Sequence, residues 1–241
     1  MPIEYALVPI AFLTSVLAGV MGMGGGVLLI AAMPGLVPVN VIFPLHALTQ
    51  LASNITRAGF GWRHIQWSML PAIFFGALLG AWVGGEVYAS LNLYWLPAII
   101  GGLILLLTWV PLPQLRGGGF IGLAGLGFYQ TGLGMLAGAT GPLGAAVMLR
   151  HNSARDWLVV NTAAYMGISH LIRVTAFVAL GFSFSPWWPL ALAMILAVTA
   201  GSWVGTKLRQ QIPQFNFHRW FRWLVSVLAL RMIAMPLFGS H

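Results

Sequence analysis

An apolar run from Tyr5 to Met33 is interrupted by Gly22-Met23-Gly24-Gly25-Gly26. This interruption limits the chain more than any other feature. Four glycines in five residues disfavour continuous helix, because each adds backbone entropy to the unfolded state and leaves peptide groups uncovered. In lipid, uncovered peptide groups must be satisfied by protein or trapped water. Two readings follow. Either the stretch breaks a membrane helix and faces the protein interior, or it is a glycine face for close helix packing. On the first reading a second helix from Val27 presents free N–H groups to the break, and such groups attract anions.

The surroundings are those of a membrane. Hydrophobic residues make up 59% of the 241 positions and charged ones 6%, with mean hydropathy +0.90. This composition predicts an all-α polytopic membrane protein. Cysteine is absent, which excludes disulfides and thiolate chemistry. The +8 charge reads first as cytoplasmic loops and second as a preference for anionic cargo. The N-terminal Met1-Pro2-Ile3-Glu4 lacks the basic region of a cleaved signal, so the first apolar run is read as mature protein.

Apolar elements fall at about 5–33, 41–60, 66–91, 94–110, 117–149, 157–181, 186–206 and 218–238. The chain also echoes itself. Gly138-Ala139-Thr140-Gly141-Pro142 follows the first glycine cluster by 116 residues, and Ser169-His170-Leu171-Ile172-Arg173 follows Ser53-Asn54-Ile55-Thr56-Arg57 at the same offset. Gly201-Ser202-Trp203-Val204-Gly205 follows Gly80-Ala81-Trp82-Val83-Gly84 at 121. Three matches in one order predict a duplication, with repeats at 1–116 and 117–241.

Charge placement bears on topology. If all eight elements span, Arg63 and Arg116 oppose Arg150, Arg155, Lys207, Arg209, Arg219 and Arg222. If element five is instead a re-entrant hairpin bent at 138–142, all eight share one face, and the 34–40, 86–94 and 182–187 loops opposite carry no Lys or Arg. Its two arms of about 16 residues would each reach roughly 24 Å. The repeat extends the hairpin to element one. Each copy is then a hairpin plus three spans, and the odd number inverts the second copy. Eight plain spans is the alternative. Most tryptophans lie near element ends, as an interfacial belt; Trp82 and Trp203, set among small residues, are read as packing.

Candidate site residues follow helical spacing. Gln50, Ser53, Asn54 and Arg57 share one face of element two, and Thr162, Tyr165, Ser169 and Arg173, with His170 alongside, run similarly in element six. Polar residues at this depth line a bundle interior or a wet cavity. Arg173 lies deep in its helix, while Glu4, Glu86 and Asp156 all sit at element ends. It therefore needs a carbonyl cage, a snorkelling route to water, or an anion, and the same holds for Arg57. His170 is either a satisfied core residue or a donor that titrates. His46 and Thr49 are weaker candidates, and Thr140 offers a hydroxyl within the second break.

The predicted anion-binding set is Gly22, Gly24, Gly25, Gly26, Asn54, Arg57, Gly138, Thr140, Gly141, Ser169, His170 and Arg173. No serine-hydrolase elbow, metal pair at helical spacing, acidic pair or nucleotide loop is present, so no enzymatic activity, metal or cofactor is expected. Arg150, His151 and Arg155 read as a cytoplasmic loop, and the basic 207–222 segment as a surface for anionic lipid headgroups.

On these motifs the chain resembles the TauE/SafE sulfite exporter family over nearly its whole length. The carriers are Gly19 to Gly26 followed by Leu28 and Leu29, Ser53-Asn54, Gly80/Gly84, the 138–142 cluster, and His170-x-x-Arg173. Two positions depart from the family pattern. Ala-Thr-Gly-Pro stands where glycines are commoner, and Arg173 stands where a Lys is expected. The resemblance implies transport of a small sulfur-containing anion, such as sulfite or a sulfonate, by a multi-pass protein of the bacterial cytoplasmic membrane. The partners expected are that anion and the bilayer, with no nucleic acid; monomer and homodimer stay open. The competing reading is a non-transporting membrane scaffold or subunit.

Overall fold

The computed structural model describes residues 2–22, 24–110, 119–138, 140, 144, 148, 151–152, 154–211 and 218–238. Within these the chain is helical, without strands beyond one isolated bridge between Pro34 and Val37. The helices are α1 (Leu7–Met21), α2 (Gly25–Ala32), α3 (Val39–Phe60), α4 (Leu70–Ser90), α5 (Leu96–Trp109), α6 (Phe120–Ala137), α7 (Arg155–Ala179), α8 (Trp188–Gln211) and α9 (His218–Phe238). Four stretches are long and apolar enough to cross a membrane: Ile3–Met21, Trp67–Ser90, Phe120–Ala137 and Ser185–Gln211. Leu96–Leu106 and Val225–Pro236 are shorter apolar helices. The protein is thus a multi-pass helical membrane protein. Helices α3 and α7 are long but more polar, and their polar side chains are buried: Ser53 and Arg57 of α3 bond to α1, and Ser169 of α7 bonds to α6.

The glycine cluster does break the first run at Gly22, as expected, but the second helix starts earlier than Val27. Gly22 ends α1 in the left-handed region (φ 82°), where its N–H donates to the Ala18 carbonyl at 2.8 Å. Gly24 is also left-handed, at φ 94°. Gly25 and Gly26 lie in the first turn of α2 and not in the break, so α2 starts two residues before Val27. Gly25 is glycine because of packing: a Cβ there would stand 2.2 Å from the Thr14 carbonyl oxygen. The break divides the run unevenly, into a 15-residue α1 and an 8-residue α2. Gly138 closes α6 in the same way, at φ 71°.

Two parallel seams of small residues bring helix backbones together. Along α4 and α6, a Cβ on Gly76, Gly80 or Gly84 would stand 1.8, 2.2 or 2.7 Å from the carbonyl oxygens of Ala124, Phe128 and Gly132. Along α1 and α8, a Cβ on Gly201 or Gly205 would stand 2.4 Å from the carbonyl oxygen of Phe12 or Val16. Without a hydrophobic drive in lipid, such close approach supplies dispersion and backbone contacts. Trp82 and Trp203 do not join these seams, against the packing expectation: they are 67% and 52% exposed. Gly80 and Gly84 are four residues apart and share one helix face, which leaves Trp82 pointing away from the partner helix.

Two antiparallel pairs complete the bundle. In α3 and α7, Phe43 stacks on Phe177 (6.4 Å between centroids), His46 meets His170 (5.9 Å), and Gly61 sits against Val160. In α5 and α9, the Tyr94 hydroxyl donates to the Pro236 carbonyl and Trp109 Nε1 to Ser226 Oγ. Phe43, Tyr88 and Phe177 form an aromatic cluster at the end of α3 where it begins.

At the opposite end a cavity of about 350 Å³ is lined by Arg63, His64, Asp156, Arg209 and Gln210 among others. Arg63 and Arg209 therefore share one end of the bundle. Arg231, outside the loops counted above, lies at the other end near Gly35. The Asp156 carboxylate is 3.0 Å from Arg209 Nε but 58% exposed. Asp156→Asn is expected to destabilise by less than about 1 kcal/mol, and the loss should vanish at high salt. Thermal melting in detergent at two salt concentrations checks this.

Candidate functional site

The predicted residues gather in two places. The first is the C-terminal end of α1. Arg57 is 4% exposed, and its snorkelling route is absent. It donates from Nη1 to the Ala18 carbonyl at 3.1 Å, from Nε to the Ser53 carbonyl at 3.4 Å, and from Nη2 to Asn54 Oδ1. Asn54 in turn donates to the Gln50 carbonyl at 2.8 Å. This is a carbonyl cage, one of the three outcomes open to a buried Arg.

Two further arginines complete that end, and both correct the loop reading. Arg209 Nη1 donates to Gly19 O at 3.1 Å, and Arg155 Nη2 to Val20 O at 3.0 Å. Arg155 Nη1 also reaches Arg209 O at 3.1 Å. Three guanidinium groups thus cap three successive carbonyls where the α1 dipole is negative. Arg209 is buried there, so it is no headgroup contact, and Arg155, read as a loop residue, begins α7 and is half-buried against α1. The carbonyls of a helix end are backbone groups, and no residue type announces them.

Gly22 belongs to this place as well, packed on Val159 of α7. Beside it Ser15, Ser53 and Ser202 form a hydroxyl cluster with separations of 2.8–3.2 Å. Ser15 and Ser202 were not singled out from sequence. Their signal lies in the repeat, since Thr131 follows Ser15 by 116 residues and pairs with Ser169 at 2.9 Å.

The second place joins the two glycine clusters. Arg173 is 1% exposed. Its Nη1 donates to the Gly138 carbonyl at 3.1 Å and lies 3.2 Å from His170 Nδ1, which accepts. The His170 ring faces the His46 ring, and His46 Nε2 donates to the Gly26 carbonyl at 2.9 Å. A chain of three side chains therefore runs from the first turn of α2 to the C-terminus of α6. Gly138 is itself held against Ile30 of α2, where a Cβ would stand 1.9 Å from Cδ1. Gly134, one turn earlier, leaves room for the guanidinium, 3.1 Å from where its Cβ would be.

Bonding is incomplete here, unlike at Arg57. Arg173 Nε and Nη2 are buried without a partner, as are His46 Nδ1 on α3 and Gln130 Oε1, one turn before Gly134 on α6. Buried polar groups are normally paired, and a charged donor left unpaired is the costliest exception. Thr140 Oγ1 donates to the Gln130 carbonyl at 3.1 Å, so its hydroxyl hydrogen is engaged. Gly25 packs on Thr14 and Ala18 of α1, whereas Gly26 approaches His46 and Gln50. Gly141 and Pro142 lie outside the described residues. Gln130 escaped sequence reading as one amide in an apolar helix. His46, ranked low from sequence, shares the Gln50 and Arg57 face. Among the described residues no group of three His, Asp or Glu side chains could hold a metal ion.

Among the described residues, apolar helices enclose a polar centre in which Arg57 and Arg173 are buried with no carboxylate bonded to either, which defines the class as a multi-pass membrane protein with a cationic interior. The chain belongs to the TauE/SafE sulfite exporter family, whose model (Sulfite exporter TauE/SafE) matches residues 7–232. No curated protein and no solved structure matches it. The family is one of membrane transporters for sulfur-containing anions.

Proposed function

We propose that the protein is a secondary transporter or facilitator that moves a small sulfur-containing oxyanion, sulfite or a sulfonate, across the bacterial cytoplasmic membrane, chiefly outward. The observation that carries this reading is Arg173: a buried cation, bonded to one glycine break, linked through two histidines to the other, and holding two unpaired donors. An anion would complete its bonding. Gly26, Gly138, His170 and Arg173 form the site, with Thr140 and Ser169 bordering it. Gly22, Gly24, Gly25, Asn54 and Arg57 form the matching break of the first half, and Gly141 takes part in the second.

The architecture on this reading is two inverted repeats, 1–116 and 117–241, each a hairpin plus three spans. Equivalent contacts support it. Gly80 on Phe128 corresponds to Gly201 on Phe12, Ser15–Ser53 to Thr131–Ser169, and Arg57–Asn54 to Arg173–His170. The equivalent helices α3 and α7 run antiparallel, as an axis in the membrane plane requires. The shared cavity of Arg63 and Arg209 supports hairpins over eight plain spans.

No coupling ion is needed for export. An inside-negative potential expels an anion with about 2.3 kcal/mol per charge per 100 mV. The test is sulfite flux from liposomes under a potassium-diffusion potential of either sign. Flux that reverses with the sign is expected. Absence of sulfite and sulfonate flux at both signs, with and without a pH gradient, would end the transport reading.

A further inference from the structure

The unpaired atoms around Arg173 are of two kinds, and their balance bears on the charge state of what binds. One guanidinium offers two free donors, Nε and Nη2. Against these stand two buried atoms that can only accept. Gln130 Oε1 is a carbonyl oxygen. His46 Nε2 must donate to the Gly26 carbonyl, so in the neutral ring Nδ1 is a bare lone pair. The second arginine of the interior is committed, with Arg57 spread over Ala18, Ser53 and Asn54.

A fully deprotonated dianion fits this set poorly. It would bring two charges to one available cation, and burying the unmatched one is costly. It would also turn lone pairs toward Gln130 Oε1 and His46 Nδ1. An oxyanion with one charge and one O–H matches both counts: its anionic oxygens accept from Arg173, and its hydroxyl donates to a bare acceptor. We infer that the site takes its oxyanion in the singly charged, proton-bearing form. For sulfite this is hydrogen sulfite, and the proton travels with the anion. The inference rests on the transport reading above and adds the charge state of its substrate.

The titratable groups near this centre are few. On α3 they are His46 and Arg57, and on α7 Tyr165, His170 and Arg173. Helix α2 has none, α6 has only the exposed Tyr129, and α4 adds Glu86 and Tyr88 toward the aromatic end. On α8, Lys207 and Arg209 stand at the far end beside Asp156. The histidines could imitate a substrate proton in a pH profile, so the test needs an anion whose own charge is constant.

Isothermal titration of the purified full-length protein in detergent supplies it, with three probes across the second ionisation of sulfite. Total sulfite should bind about tenfold more weakly for each pH unit above that ionisation, because only the protonated fraction binds. Methanesulfonate, singly charged but without an O–H, should bind more weakly than hydrogen sulfite and with no such slope. Sulfate, doubly charged throughout, should not compete. Sulfite affinity that is flat or rises with pH would overturn the inference. So would sulfate competing as well as sulfite, or methanesulfonate showing the same slope, which would put the proton on a histidine. Sulfate binding that depends on Arg173 would leave the transport reading standing, whereas binding of none of the three would remove both.

Discussion

Arg173→Gln is expected to lose anion binding while leaving the protein folded. The free Nε and Nη2 donors are charged, and hydrogen bonds to charged groups are worth about 1.5–3 kcal/mol each. Losing two of them predicts a binding constant lower by roughly 100-fold or more. Stability should not fall with it. The native cation is buried with two donors unsatisfied, so replacing it by a neutral amide removes a desolvation penalty, and the melting temperature should hold or rise. Arg57→Gln is the contrast. That side chain is bonded through all three nitrogens, to Ala18 at the end of α1 and to Ser53 and Asn54, and its removal strips a carbonyl cap from a helix terminus, for a loss of about 1–3 kcal/mol. Titration calorimetry and thermal melting on the same preparations separate the two. Arg173→Lys should recover only part of the affinity, since an ammonium keeps the charge but not the planar fork. Unchanged affinity in Arg173→Gln would remove this residue from the site.

Gly80→Val should be the most damaging substitution in the bundle. A Cβ at this position would stand 2.2 Å from the Phe128 carbonyl oxygen and 2.9 Å from its carbon and Cα. All three are backbone atoms, so no rotamer change relieves the clash and the helices must separate. Separation would break the α4–α6 seam along its length, because Gly76 and Gly84 make the same kind of contact a turn to either side. The expected loss exceeds about 3 kcal/mol, enough to prevent recovery of a monodisperse protein. Gly201→Val, 2.4 Å from the Phe12 carbonyl oxygen, should behave alike in the α1–α8 seam. Gly102→Ala is the control: nothing lies within 4 Å of its Cβ, and alanine favours helix. Yield and size-exclusion profile in detergent read the outcome. Equal behaviour of Gly80→Val and Gly102→Ala would mean the seam is not a tight contact.

The sequence by itself determined the solvent, the elements and the polar faces. Apolar runs of spanning length leave helices as the only way to satisfy the backbone in lipid, and the helical spacing of Gln50, Ser53, Asn54 and Arg57 puts them on one inward face. The glycine clusters were legible as breaks because the left-handed turns at Gly22 and Gly138 demand that residue. What was not legible was how each polar group is satisfied. Arg57 and Arg173 occupy matching places in the sequence, yet one is closed by carbonyls and the other is left open. The partners that decide this, the carbonyls of Ala18 and Gly138, are backbone atoms common to every residue type. Arg155 and Arg209 looked like loop charges for the same reason, since the end of α1 that they cap is brought to them only by the fold. Trp82 was misread because a local run of small residues does not reveal which side of the helix meets a neighbour. Periodicity sets which side chains share a face; only tertiary packing decides which backbone groups stand opposite them, and in this protein those backbone groups decide which cation is free to meet an anion.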